Sequence, residues 1–226
     1  MNVNFFKEKF YGQDISALLP LKEKSWEEWI YNLYKSEVEK SGRTFLQNEH
    51  VLENIRMLAE WIKGEYSSCL ITGDVGIGKT ALIKSIMRLF DILRDPISIP
   101  PLRCRSIVLY DASELCNKYM SSDDVRYEVL NCKVLFIDDL GTEAMQYFSY
   151  GNVCKPINDI ILARYAARLP TIITTNLDTG EFAERYGDRV SDRLNEIYTI
   201  IECPKHESYR RMPLRKPDDE TKEKVT

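Results

Sequence analysis

Apolar residues recur along this chain in two periods, and the alternation between them outlines the fold. From Trp26, the spacing Trp26, Trp29, Ile30, Leu33, Tyr34 and Val38 lines one face of a helix, opened by the capping pattern Ser25-x-x-Glu28 and closed by Ser41-Gly42. Asn48 caps a second helix with the stripe Val51, Leu52, Ile55, Leu58, Ala59 and Ile62, ending at Gly64. The pattern then shortens to an apolar run ending at Leu70-Ile71-Thr72, and lengthens again into a helical segment over 81–93. Asp95-Pro96 and Pro100-Pro101 mark a loop. Ser106-Ile107-Val108-Leu109-Tyr110 reads as a strand. Asp111-x-x-Glu114 caps a helix carrying Leu115, Cys116 and Tyr119, and a short helix follows over 125–130. Val134-Leu135-Phe136-Ile137 is uniformly apolar, as in a strand buried on both faces, and ends on Asp138-Asp139. A helix is predicted over 152–169, a strand over 171–175 ending at Asn176, a helix capped by Asp178-x-x-Glu181, another over 189–196 and a last strand over 197–202.

Strands that alternate with helices imply an α/β fold of three layers around a parallel central sheet, preceded by a short helical extension. The predicted division is an extension over 1–42, a main domain over 43–212 and a charged, proline-containing tail over 213–226. The extension's aromatic face has two readings: it packs on the chain's own core, or it docks a partner protein.

At 226 residues and 44% hydrophobic content, the chain suits one α/β domain with a small appendage. A net charge of −4 excludes a protein that grips nucleic acid by bulk charge, so any such contact is local or made by an assembly. The cysteines at 69, 104, 116, 132, 154 and 203 contain no C-x-x-C step; they read as free thiols in a reducing, cytoplasmic setting. No apolar run approaches the ~18 residues of a membrane span, and the first residues lack the pattern of a signal peptide.

The chemistry gathers at the stretch Gly73-Asp74-Val75-Gly76-Ile77-Gly78-Lys79-Thr80, a G-x-x-x-x-G-K-T loop between a strand and a helix that continues at Ala81. Glycines allow the curl that turns backbone N–H groups inward on a phosphate chain, and the helix adds its positive dipole end. Lys79 then reaches the β- and γ-phosphates and the Thr80 hydroxyl holds Mg²⁺. Asp138 suits a metal-binding aspartate of the Walker B kind, and Asp139 suits a residue that polarises the attacking water. Glu143 is the next acid and a further candidate base. Asn176 can orient the water or simply form a turn. In a parallel α/β sheet, ligands sit at the carboxyl ends of strands, where the loop, the acid pair and Asn176 all fall. Arg189 and Arg193, four residues apart, share one helix face: either a solvated face or an arginine finger for a neighbouring subunit. Arg210 and Arg211 offer a contact to nucleotide within the same chain, or are a basic tail. Arg43-Thr44-Phe45 lies where the chain could wrap back to an adenine.

Taken in order, Gly-Asp-Val-Gly-Ile-Gly-Lys-Thr, Ile-Asp-Asp-Leu-Gly-Thr-Glu (137–143), Ile-Thr-Thr-Asn-Leu (173–177), Tyr-Gly-Asp-Arg-Val-Ser-Asp-Arg-Leu (186–194) and Ser-Tyr-Arg (208–210) resemble the AAA+ ATPases of the DnaC/DnaI helicase-loader and IstB transposition-helper group. The resemblance spans about residues 43–212 and implies a P-loop NTPase of the AAA+ (ASCE) type. It implies Lys79, Thr80 and Asp138 for ATP and Mg²⁺, Asp139 for hydrolysis and Asn176 as sensor 1. It further implies Arg193, with Arg189, as a finger in trans, and Arg210 as sensor 2. It implies single-stranded DNA contact from the helix near 112–120, with Lys118 and Tyr119 as candidates. The implied protein is an ATP-dependent homo-oligomer whose partner is a replicative helicase or a transposase. Two readings of another kind stay open on the loop alone: a P-loop small-molecule kinase and a non-hydrolysing nucleotide-binding scaffold.

Overall fold

The computed structural model describes residues 25–64, 68–93, 107–149, 151–203 and 208–209. Helix α1 (Trp26–Lys40) and α2 (Glu49–Lys63) precede strand β1 (Ser68–Thr72) and α3 (Lys79–Leu93). Then follow β2 (Ile107–Asp111), α4 (Ala112–Ser121), α5 (Asp123–Asn131) and β3 (Val134–Leu140). A hairpin of β4 (Tyr147–Ser149) and β5 (Asn152–Cys154) leads to α6 (Pro156–Ala166), β6 (Thr171–Thr175), α7 (Thr179–Tyr186), α8 (Asp188–Ile197) and β7 (Tyr198–Glu202). The main sheet runs β2-β3-β6-β1-β7 with every neighbouring pair parallel. Strand β6 therefore lies between the strand that feeds the glycine loop and the strand that ends on the acid pair.

Each apolar strand divides its side chains between two cores, as a period of two requires. Cys69, Ile71, Val134, Phe136 and Ile172 pack with α1, α2 and α3 on one face. Leu70, Leu135, Ile137 and Ile173 pack with α4 to α8 on the other. The result is the three-layer α/β arrangement that the alternation of elements implied. On the first helix Trp26, Ile30, Leu33, Tyr34 and Val38 are all buried against the chain's own core, and Arg88 of α3 binds Glu37 at 2.7 Å. Trp61, Phe90 and Phe136 continue that core as a stacked pair and an edge-on contact.

Caps fall where the sequence put them. Ser25, Asn48 and Asp111 accept backbone N–H groups in the first turns of α1, α2 and α4. The short helix predicted over 125–130 begins earlier, at Asp123, because Ser122 caps it. Asp178 and Glu181 form a complete capping box. The helix predicted over 152–169 is corrected at both ends. Residues 152–154 pair with 147–149 as an antiparallel hairpin. The helix begins only at Pro156, whose fixed φ suits a first turn. It stops at Ala166 because Arg168 adopts φ 52, and the Leu169 N–H returns to the Arg164 carbonyl. Among the described residues, Cys69, Cys116, Cys132 and Cys203 are buried free thiols and Cys154 is a half-buried one. No described helix is long and apolar enough to cross a membrane.

Candidate nucleotide site

The carboxyl ends of β1, β3 and β6 converge on a cavity of about 510 Å³. Its walls include Val75, Gly76, Gly78, Lys79, Thr80, Ala81, Asp139 and Asn176, brought together from three strands. The loop at 73–78 curls through Gly76 (φ 86) and Gly78 (φ 96), a backbone region that costs side-chain-bearing residues energy. Gly78 has a second constraint. A Cβ there would collide with the Tyr34 hydroxyl oxygen and stand 3.1 Å from Tyr209 Cε2. Gly78→Ala should therefore lower stability by about 2 kcal/mol in urea unfolding, and Tyr34→Phe, which removes the hydroxyl, should recover part of that loss.

Lys79 is 4% exposed, and all three of its N–H donors are occupied. Nζ donates to the Gly73 carbonyl at 2.6 Å, the Asp74 carbonyl at 2.8 Å and Asn176 Oδ1 at 2.6 Å. Burial lowers its pKa; Cys203 and the carboxylates of Asp139, Asp138 and Asp74 pull the other way. The lysine thus ties the loop directly to Asn176 on the far side of the cavity.

The acid pair sits on a break in strand register between Ile137 and Leu140. At that bulge Asp139 takes φ 53, a left-handed conformation that aspartate tolerates better than most residues. The consequence is divergence. Asp138 is buried, with Oδ1 accepting the Thr174 hydroxyl at 2.5 Å, while the Asp139 side chain faces the cavity and its N–H donates to Thr174 Oγ1 at 2.9 Å. Thr174 fixes both acids from the adjacent strand.

The remaining walls come from segments outside the loop and the acid strand. Glu37, Val38, Lys40 and Ser41 of the first helix and its end, with Arg43, Lys84 and Tyr209, complete the cavity. The Tyr34 hydroxyl donates to the Ile77 carbonyl at 3.3 Å, and the Tyr209 N–H to the Gly76 carbonyl at 2.9 Å. Burial, reinforced by Tyr209, holds the Tyr34 phenol well above its ordinary pKa, so it stays a donor. Arg43 lines the cavity, whereas Phe45 packs edge-on against Tyr31 and Tyr34.

Arg189 and Arg193 lie on α8, outside the cavity walls. Arg189 is exposed. Arg193 stands 4.9 Å over the Tyr165 ring and pairs with Glu196 at 2.9 Å. Arg210, Arg211 and the tail over 213–226 lie outside the described residues. Two expectations are corrected. Tyr119 is 8% exposed, because it follows Leu115 and Cys116 on the apolar face of α4, and so is not open to base stacking; Lys118 is exposed and pairs with Glu114 at 2.6 Å. Glu143 is buried and saturated by Gly141, Arg185 and Tyr186, which removes it as a base.

A glycine loop on a helix start, an acid-bearing strand and a polar residue at the end of the strand between them make up a P-loop α/β fold with a cavity suited to a phosphate group. No family model matches the chain. The sequence is 26% identical over 164 residues to the replicative helicase loader DnaC of Escherichia coli K12, covering 71% of this chain and 63% of that protein. The crystal structure of the DnaC helicase loader superposes with a TM-score of 0.54 at 20% identity, over 76% of this chain and 98% of that one. The replication initiator DnaA bound to AMPPCP and single-stranded DNA superposes with a TM-score of 0.53 at 16% identity, over 76% of this chain and 51% of that one. The chain thus resembles DnaC-like AAA+ helicase loaders, while spanning less than two thirds of the length of the curated relative it matches.

Proposed function

We propose that this chain is an ATP-hydrolysing AAA+ factor of DNA replication that engages a replicative helicase, and that its hydrolytic site is completed by a second copy. The observation that supports this reading most directly is the split of the predicted residues. Lys79, Thr80, Asp139 and Asn176 share one cavity, whereas Arg189 and Arg193 sit on a separate helix outside its walls. Guanidiniums that do not reach their own cavity are available to another molecule's.

The residues present fit MgATP. The loop over 73–80 offers inward N–H groups and an ammonium for the phosphates. The walls from Val38 to Arg43 and Tyr209 leave room for a base and sugar. Thr80 would hold Mg²⁺, with Asp138, which is buried and outside the cavity walls, acting through the ion's water shell; the ion when bound would neutralise charge on the phosphate oxygens. Asp139 is the proton acceptor toward an attacking water, and Asn176 its positioning amide. For Lys79 to serve a phosphate it must give up at least one of its three present acceptors, the Gly73 carbonyl, the Asp74 carbonyl or Asn176 Oδ1. DnaA binds AMPPCP and single-stranded DNA on a similar fold. For this chain we expect strand contact from exposed surface such as Lys118, not from Tyr119.

Arg189→Ala/Arg193→Ala should lower turnover by at least about 100-fold while leaving nucleotide affinity unchanged, because such fingers stabilise transition-state charge only. Turnover per chain should also rise with protein concentration. Mixing this variant with Asp139→Asn should restore turnover, since each supplies what the other lacks. Unaltered hydrolysis by the double arginine variant would falsify the trans site. Capture of a purified replicative helicase in ATP but not ADP tests the partner.

A further inference from the structure

Glu143 lies in none of the roles above, yet it is among the most completely bonded carboxylates described. Oε2 accepts the Gly141 N–H at 2.9 Å. Oε1 accepts the Tyr186 hydroxyl at 2.6 Å and the Arg185 Nε–H at 3.2 Å. The Glu143 carbonyl accepts a further N–H from Arg185, whose other arm reaches Met145 Sδ at 2.8 Å. Burial and the Glu143 hydrogen bond both raise the Tyr186 pKa far above its ordinary value, so this donor does not ionise away.

The two ends of this knot face different places. On one side, the Thr142 hydroxyl and N–H both bind the Asp139 carbonyl, at 2.9 and 3.3 Å. Leu177, the neighbour of Asn176, stands 3.0 Å from where a Cβ on Gly141 would be. The segment 139–143 is therefore braced against both hydrolytic positions. On the other side, Arg185 and Tyr186 close α7, and Asn158 of α6 holds the Tyr186 carbonyl at 2.8 Å. Gly187, at φ 85, is then the single residue between α7 and the arginine-bearing α8. A one-residue joint leaves α8's start little freedom independent of Tyr186.

Replacing a buried ion pair by apolar packing is often neutral for stability, whereas removing one partner leaves a buried charge uncompensated, so the pair holds its two elements in one arrangement. We propose that Glu143 is a positioning residue that locks the Asp138–Asp139 loop of one molecule to the arginine helix the same molecule presents to its neighbour. This rests on the trans-arginine reading above.

The test separates the two. An acceptor, Arg189→Ala/Arg193→Ala, keeps its cavity; a donor, Asp139→Asn, keeps its arginines. Their mixture regains turnover if arginines act in trans. Adding Glu143→Gln to the donor, whose own cavity is already silent, should cut the regained turnover at least about fivefold. The donor's affinity for a fluorescent ATP analogue with Mg²⁺ and its circular dichroism should stay unchanged, which a merely structural defect would not allow. Tyr186→Phe in the donor should act in the same direction and decides the matter if Glu143→Gln fails to fold. Full rescue by either folded donor overturns the proposal. No rescue by the plain Asp139→Asn donor overturns the trans reading, and the proposal with it.

Discussion

Replacing Lys79 by alanine is expected to weaken binding of a fluorescent ATP analogue with Mg²⁺ by about 100-fold, the equivalent of one to two charge-assisted hydrogen bonds to phosphate. The effect is large because the ammonium is buried at the mouth of the curled loop, where few waters remain to take its place. It is also specific. Lys84 lines the same cavity from the next turn but is exposed, and Lys84→Ala should change affinity by less than about fivefold, as for a solvent-screened charge. Lys79→Arg should fail nearly as badly as alanine. Its planar fork cannot place donors on the Gly73 carbonyl, the Asp74 carbonyl and Asn176 Oδ1 as three tetrahedral N–H bonds do. Titration by fluorescence anisotropy of the three variants gives the order.

The second large effect concerns stability and lies at the opposite end of the sheet. Arg164 is fully buried and donates to three backbone carbonyls and a threonine hydroxyl rather than to a carboxylate. Nε binds Thr171 Oγ1 at 2.8 Å, Nη1 the carbonyls of Val129 at 2.8 Å and Cys132 at 3.0 Å, and Nη2 the Pro170 carbonyl at 2.6 Å. Those carbonyls close α5 and open β3 and β6, the two central strands that end on Asp138 and Asn176. Arg164→Ala leaves several buried acceptors unmet and a cavity besides, and should cost about 4 kcal/mol. Against a total of about 5–15 kcal/mol for a domain, that loss brings the fold near its limit. Urea unfolding should show a lower midpoint with an unchanged slope. Arg164→Met, which restores volume but not donors, should recover only a minor part. Nucleotide affinity of the folded fraction should persist, because Arg164 touches nothing at the cavity.

Arg164 also shows the limit of a reading made along the chain. In sequence it is a charged residue in the last turn of an apolar helix, where the natural expectation is solvent. Nothing local announces that the acceptors of Val129 and Pro170 will close around it. Tyr119 fails the same way in reverse: a tyrosine beside a lysine suggests stacking, but its place four residues after Leu115 turns it inward. The hairpin at 147–154 was hidden because Phe148 and Val153, its opposed pair, are exposed rather than buried, so they supply no core-facing alternation. By contrast, the loop at 73–80, the acid pair and the caps at Ser25, Asn48, Asp111 and Asp178 were all legible.

What the sequence settles by itself is whatever covalent spacing dictates: the order of strands and helices, the apolar faces, and the curled backbone from Gly73 to Thr80, with the acids at 138 and 139 closing a strand. These follow from periods of two and 3.6 and from glycine's backbone freedom, which act over a few residues. Tertiary structure alone decided that Tyr34 would guard Gly78, that Asn176 would hold Lys79, that Glu143 would bind Tyr186, and that Arg189 and Arg193 would lie outside their own cavity. Each of those pairings joins residues far apart in the chain, and only the packing of two cores on one sheet fixes which distant groups meet.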